Sequence, residues 1–95
     1  MIEIFSFKLR PAADEAAFMA VDKRLQAEFA YQQPGLMRRT TARGTDGECV
    51  VIDLWRSEAD AERTSRAWGN DPLTAEFTGF IDPDTVVVRR YHELD

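Results

Sequence analysis

The sequence predicts an α+β fold with the element order β-α-β-β-α-β. Three observations predict it. Residues 2–9, IEIFSFKL, alternate with strand period, and Cys49–Trp55 is an almost wholly apolar run. Phe18, Val21, Leu25 and Phe29 recur at helical spacing between them. Glycine, proline and aspartate punctuate the chain at 32–35, 44–47, 69–72 and 82–84. Ninety-five residues suit one domain spanning 1–95. A chain of that length buries roughly two-thirds of its unfolded surface, so cover from a second subunit would add to a modest core.

The first strand carries Phe5, Phe7 and Leu9 on one face and Ile2, Ile4, Ser6 and Lys8 on the other, and Pro11 ends it. Asp14 is suited to cap the first helix, with Glu15 favourable in its first turn. Asp22, Lys23, Gln26 and Glu28 are expected on that helix's outer side. Pro34 cannot continue the helix, and Gly35 permits a turn with positive φ. The second strand, residues 36–43, is polar enough for a sheet edge, and the turn GTDG makes a hairpin with the third strand, 49–55. Ser57 with Asp60 approximates a capping box for the second helix, which turns Ala61, Thr64 or Ser65, and Trp68 inward. Asp71 and Pro72 start a short further helix striped by Leu73, Phe77 and Phe80. Residues 85–94 form the last strand. This is the ferredoxin-like split β-α-β arrangement, a four-stranded antiparallel sheet with its helices on one face.

The helices must cover a dry face. Phe5, Phe7 and Leu9, with Val50, Ile52 and Leu54, are wholly apolar sets and are expected there, joined by Val86 and Val88. The opposite face then holds Ile4, Ser6, Val51, Asp53 and Trp55, with Val87, Arg89 and Tyr91. That face is too apolar for water, and no element remains to cover it. A second copy of the chain is the economical cover, and two such faces would enclose an apolar cavity suited to a small apolar or aromatic ligand.

Composition excludes several classes. A net charge of −5 argues against a nucleic-acid backbone as partner. No apolar window reaches the ~18 residues of a membrane span, and the opening residues read as a strand rather than a signal peptide. A lone cysteine, Cys49, supports neither a disulfide nor a zinc site and fits a cytoplasmic setting. It opens an apolar run, as a small buried residue does. A single histidine, His92, excludes a multi-histidine metal centre within one chain and is expected in solvent. No Gly-rich strand-to-helix turn marks a nucleotide site. No cofactor is called for.

The element order, the Pro34–Gly35 pair and the join DLWRSEADAE, with Trp55, Ser57 and Glu58, resemble the antibiotic biosynthesis monooxygenase-like family of the dimeric α+β barrel superfamily. The resemblance covers nearly the whole chain. It implies a homodimer whose sheets close a barrel. It also implies one of several activities: cofactor-independent oxygenation of polycyclic phenols, haem breakdown, isomerisation or cyclisation without redox change, or ligand binding alone. Haem-degrading relatives need an Asn on the first strand and a His late in the second helical region. Here that strand has Ser6 and Lys8, and 70–80 has no His. Cofactor-independent oxygenation asks for an apolar cavity, a stabiliser for the substrate anion and a base. The expected parts are Asp53, Arg89 and Tyr91 for catalysis, with Trp55, Ile4, Ser6 and Val51 against the substrate.

Overall fold

The computed structural model describes residues 1–95. The elements are β1 (Ile2–Phe7), α1 (Glu15–Glu28), β2 (Leu36–Arg43), β3 (Cys49–Trp55), α2 (Glu58–Ala67), α3 (Pro72–Thr78) and β4 (Val87–Tyr91). The four strands form one sheet in the order β2-β3-β1-β4, with every neighbouring pair antiparallel. The predicted α+β class and element order are those observed, with the short third helix restarting where Asp71 and Pro72 place it. The first strand is shorter than its alternation suggests. It stops at Phe7, and Leu9 adds only an isolated bridge to Ile81.

The element ends follow from local chemistry. Asp14 accepts from the amides of Ala16 and Ala17 at 2.9 and 3.4 Å, satisfying donors that the first helical turn leaves free. Ser57 accepts from the Asp60 amide at 3.2 Å and donates to Asp60 Oδ2 at 2.9 Å. Asp71 accepts from the Leu73 amide at 2.8 Å, with Pro72 in the first turn. Gly35, at φ +86°, turns the chain from α1 into β2.

Pairing register decides which side chains face the helices. Phe7 lies opposite Cys49, Phe5 opposite Val51 and Glu3 opposite Asp53. Because directly paired residues share a face, Cys49, Val51, Asp53 and Trp55 point toward the helices, each no more than 7% exposed. The expected orientation of β3 is therefore reversed. Val50, Ile52 and Leu54 are on the outer face, where Ile52 is 38% exposed. An entirely apolar set is the natural choice for the inside. Instead the inner set carries a carboxylate, and neighbouring charges accompany it. For β4 the expectation holds: Val88 pairs with Phe5 on the helix side, and Val87, Arg89 and Tyr91 lie opposite Ser6, Ile4 and Ile2 on the outer side.

The main core joins Phe7, Val51 and Cys49 of the sheet to Phe18, Val21 and Leu25 of α1 and Leu73 and Phe77 of α3. Phe7, Phe18 and Phe77 form a triangle with ring centroids 5.3–6.1 Å apart, within the range for favourable aromatic packing. Trp55 belongs to a smaller cluster with Met1 and Ala61, flanked by Leu36. Asp22 and Gln26 are half-buried rather than fully outward, because both reach Arg39. No helix is long and apolar enough to cross a membrane.

Candidate functional site

A cavity of about 320 Å³ lies between the inner face of the sheet and the second helical region. Small-ligand sites begin at about this size. Its walls are apolar and largely aromatic: Phe5, Phe7, Trp68, Phe77, Ile81 and Val86. One end is polar, formed by Glu3, Arg39, Asp53, the indole of Trp55, Thr64 and Ser65. Strand period explains the division. Phe7, Phe5 and Glu3 succeed one another on the inner face of β1, as Val51, Asp53 and Trp55 do on β3, so both strands run from apolar to polar in the same direction across the pocket.

Asp53 is the singular group at the polar end. It is 7% exposed, and its buried Oδ1 has no hydrogen-bond partner. Burial pushes its carboxyl up to about 7, with the Arg39 cation pulling down and the Glu3 and Asp22 carboxylates pushing further up. Arg39 does not prevail because its Nε stands 4.0 Å from Asp53 Oδ1, beyond hydrogen-bond range. The second unpaired buried atom is the Nε1 of Trp55, a donor on a residue that also lines the cavity. An unmatched acceptor and an unmatched donor together are costly in an empty pocket and serve a ligand that carries both complements.

The other charges are committed. Glu3, 4% exposed, accepts from Arg90 Nε at 2.7 Å. Arg90 also bonds Glu62 and stands 3.7 Å from Glu58. Arg39 gives its terminal nitrogens to Asp22 at 2.8 Å and Gln26 at 3.1 Å, and its guanidinium lies 5.8 Å from the Phe77 ring centroid. Burial, with the nearby Glu15 carboxylate, pushes the Cys49 thiol up, opposite to the shift that activates a nucleophile. His92 is two-thirds exposed and stands 3.4 Å from Glu58.

The seven expected site residues do not share one face. Asp53, Trp55 and Val51 line the cavity beneath the helices. Ile4, Ser6, Arg89 and Tyr91 point to the outer face and reach no part of it within this chain. Strand alternation separates them: Arg89 pairs with Ile4 and Tyr91 with Ile2, while Asp53 pairs with Glu3. Several cavity residues escaped the reading, Glu3 and Arg39 among them. For these two the signal was present, since Glu3 is in phase with Phe5 and Phe7, and Arg39 lies opposite Asp53. A charge in phase with a core stripe is either paired or functional.

Neither a protein-family model nor a curated protein matches the chain. Solved structures do. A mutant form of SnoaB, a cofactor-independent oxygenase from Streptomyces nogalater, is 23% identical, with 99% of this chain and 92% of that chain covered at TM-score 0.77. Rv0793 from Mycobacterium tuberculosis is 19% identical, with 99% and 94% covered at TM-score 0.70. A structure described as an antibiotic biosynthesis monooxygenase is 18% identical, with 98% and 100% covered at TM-score 0.69. The chain therefore has the α+β fold seen in antibiotic biosynthesis monooxygenase-like structures, over nearly its whole length.

Proposed function

We propose that the protein is a cofactor-independent monooxygenase that acts on a small, electron-rich aromatic or polyketide-like substrate, with Asp53 as general base. The observation that carries this reading is the buried, unpaired Asp53 carboxylate at the polar end of an aromatic cavity, titrating near 7. A base with that pKa is half ionised at neutral pH and strong enough to take a proton from an activated phenol or anthrone. Trp55 Nε1 donates to the developing oxyanion, and Phe5, Phe7, Trp68 and Phe77 hold the rings.

The reaction balances without a further reductant. Asp53 takes one proton from the substrate, and the resulting anion passes one electron to O₂. The radical pair joins to form a carbon–oxygen bond. The peroxide then loses water as its carbon becomes a carbonyl, so one oxygen atom stays in product and the other leaves as water. The fold shared with a cofactor-independent oxygenase supports this reading.

The protein is further proposed to act as a homodimer joined through the outer sheet face. Arg89, Tyr91, Ile4 and Ser6 then belong to that interface.

Oxygen uptake by metal-stripped protein with anthrones, naphthols and hydroquinones tests the activity. Turnover should need native protein and no flavin or nicotinamide. Asp53→Asn should lower kcat/KM by about 10²–10⁴-fold. Wild-type kcat/KM should rise with pH through about 7 as the base ionises. Undiminished turnover in Asp53→Asn would remove Asp53 from the chemistry.

A further inference from the structure

Arg39 is the only cation bordering Asp53, yet it is turned away. Its two terminal nitrogens point to α1, one 2.8 Å from Asp22 Oδ1 and the other 3.1 Å from Gln26 Oε1. Only the Nε edge faces Asp53, at 4.0 Å. Asp22 is itself fixed, because its Oδ1 also accepts from Thr41 Oγ1 at 3.1 Å. Tyr31 anchors the strand beneath, its hydroxyl accepting from the Arg39 amide at 2.8 Å. The Arg39 and Asp22 side chains are 4% and 14% exposed, so water screens their contact little.

We propose that Asp22 is a positioning residue: by drawing the Arg39 guanidinium onto α1, it keeps that cation out of hydrogen-bond contact with Asp53 and leaves the Asp53 carboxylate able to take the substrate's proton. This rests on the reading of Asp53 as base. The physical basis is competition. One buried guanidinium lies between two carboxylates, and the one that holds it in a charge-assisted hydrogen bond becomes the weaker base. Asp22 has Arg39 and Thr41, whereas Asp53 has no bonded partner at Oδ1. The groups facing Asp53 are Glu3 from β1, Arg39 from β2 and, behind Arg39, Asp22 from α1. Arg90 of β4 is bonded to Glu3. From α2 the cavity receives Ala61, Thr64 and Ser65, which carry no charge, and its remaining charged lining residue, Arg10, donates to the Gly79 carbonyl at 3.1 Å.

Asp22→Asn keeps the shape and removes the competing charge, so Arg39 should swing to Asp53. Carboxyl ¹³C NMR follows this directly, with the Asp53 resonance identified from its loss in Asp53→Asn. The Asp53 midpoint should fall by about 1–3 units, the range for a carboxylate gaining an arginine partner. The pH profile of oxygen uptake should move to acid by the same amount. Without any movement of Arg39, the midpoint should fall only by the direct loss of the Asp22 charge.

Arg39→Gln separates Arg39's movement from the direct loss of the Asp22 charge. In that background Asp22→Asn should move the midpoint clearly less. An equal shift in both backgrounds would overturn the proposal, as would no shift in Asp22→Asn. Should Asp22→Asn not fold, Asp22→Ser, which removes the same charge with a smaller side chain, should move the midpoint in the same direction, and no movement there would also overturn it. A shifted midpoint in a protein that turns over none of the panel upholds the positioning role and sinks the oxygenase reading.

Discussion

An ionised Asp53 buried without a bonded partner is a standing cost to the folded protein, and its sign can be worked out. The carboxyl titrates near 7 when folded and near 3.8 when unfolded. Between those values the folded chain binds more protons than the unfolded one, so stability falls as pH rises through this window and stays low above it. Below about 4 both states are protonated and the cost vanishes. Asp53→Asn should therefore be more stable than wild type at pH 8, by about 2–4 kcal/mol. The advantage should shrink as pH approaches 4. Thermal unfolding of both proteins across that range checks it. A site residue whose removal stabilises the fold is one kept for its chemistry. At this scale the sequence was only partly legible. Asp53 and Trp55 were identifiable as a carboxylate and an indole closing an apolar strand. Their side of the sheet was not, because both alternating sets of β3 contain apolar residues, and period two gives phase without direction. Only pairing with Phe5 and Phe7 of β1 orients the strand, and register between strands separated by a helix and a further strand is not written in either strand alone.

Single elements were the most legible scale, because each carries its own start and stop. Asp14, Ser57 and Asp71 cap three helices through side-chain bonds to amides two or three residues on. Gly35 does more than turn the chain. A Cβ built on it would lie 2.1 Å from Asp60 Oδ2 and 2.7 Å from Asp60 Cβ. The Asp60 side chain already bonds Ser57 and Arg63, so it is not free to withdraw. The Gly35 carbonyl meanwhile accepts from the Arg56 amide at 2.8 Å, tying the entry to β2 to the exit from β3. Gly35→Ala should lower stability by about 1–3 kcal/mol, from positive φ and steric conflict together. For a chain of this size that is a fall in Tm of at least several degrees, measurable by calorimetry. An unchanged Tm would show that Asp60 yields without cost. The bulge at Leu36 to Arg38 was not foreseen. It shifts pairing by one residue at the start of β2, and nothing in LMRR marks it.

For the whole molecule, the outer sheet face is the unfinished surface. Ile52, Val87 and Tyr91 are 38%, 47% and 46% exposed, with Ile2, Ile4, Val50 and Leu54 half-buried among them. The sequence reading placed an apolar face opposite the helices and was right that one exists, although the β3 residues on it are the alternate set. With Val50, Ile52 and Leu54 outward, that face is more apolar than expected. The proposed homodimer would cover it. Ile52→Glu, near the centre of the face, should leave a monomer by light scattering at micromolar concentration. It should leave the helix-side cavity intact. A wild-type monomer under the same conditions would end the dimer proposal.

Sheet order has a consequence for how the protein comes to exist. Glu3 meets Asp53 only when β1 enters between β3 and β4, and it meets Arg90 across 87 positions of chain. The β2–β3 hairpin sets Arg39 opposite Asp53, but no hairpin and no single helix brings in Glu3 or Arg90. Non-local pairings must overcome their loop-closure entropy before they return any contact energy. A folding chain can thus complete the β2–β3 hairpin and α1 while Asp53 is still in water with an ordinary acidity. The carboxylate acquires its raised affinity for protons at the closing of the sheet. Above about pH 7 that closure must desolvate a full charge, whereas at about pH 5 it takes up a proton as it proceeds. Refolding should be faster on the acid side of neutrality, with the difference lost when Asp53 is made Asn.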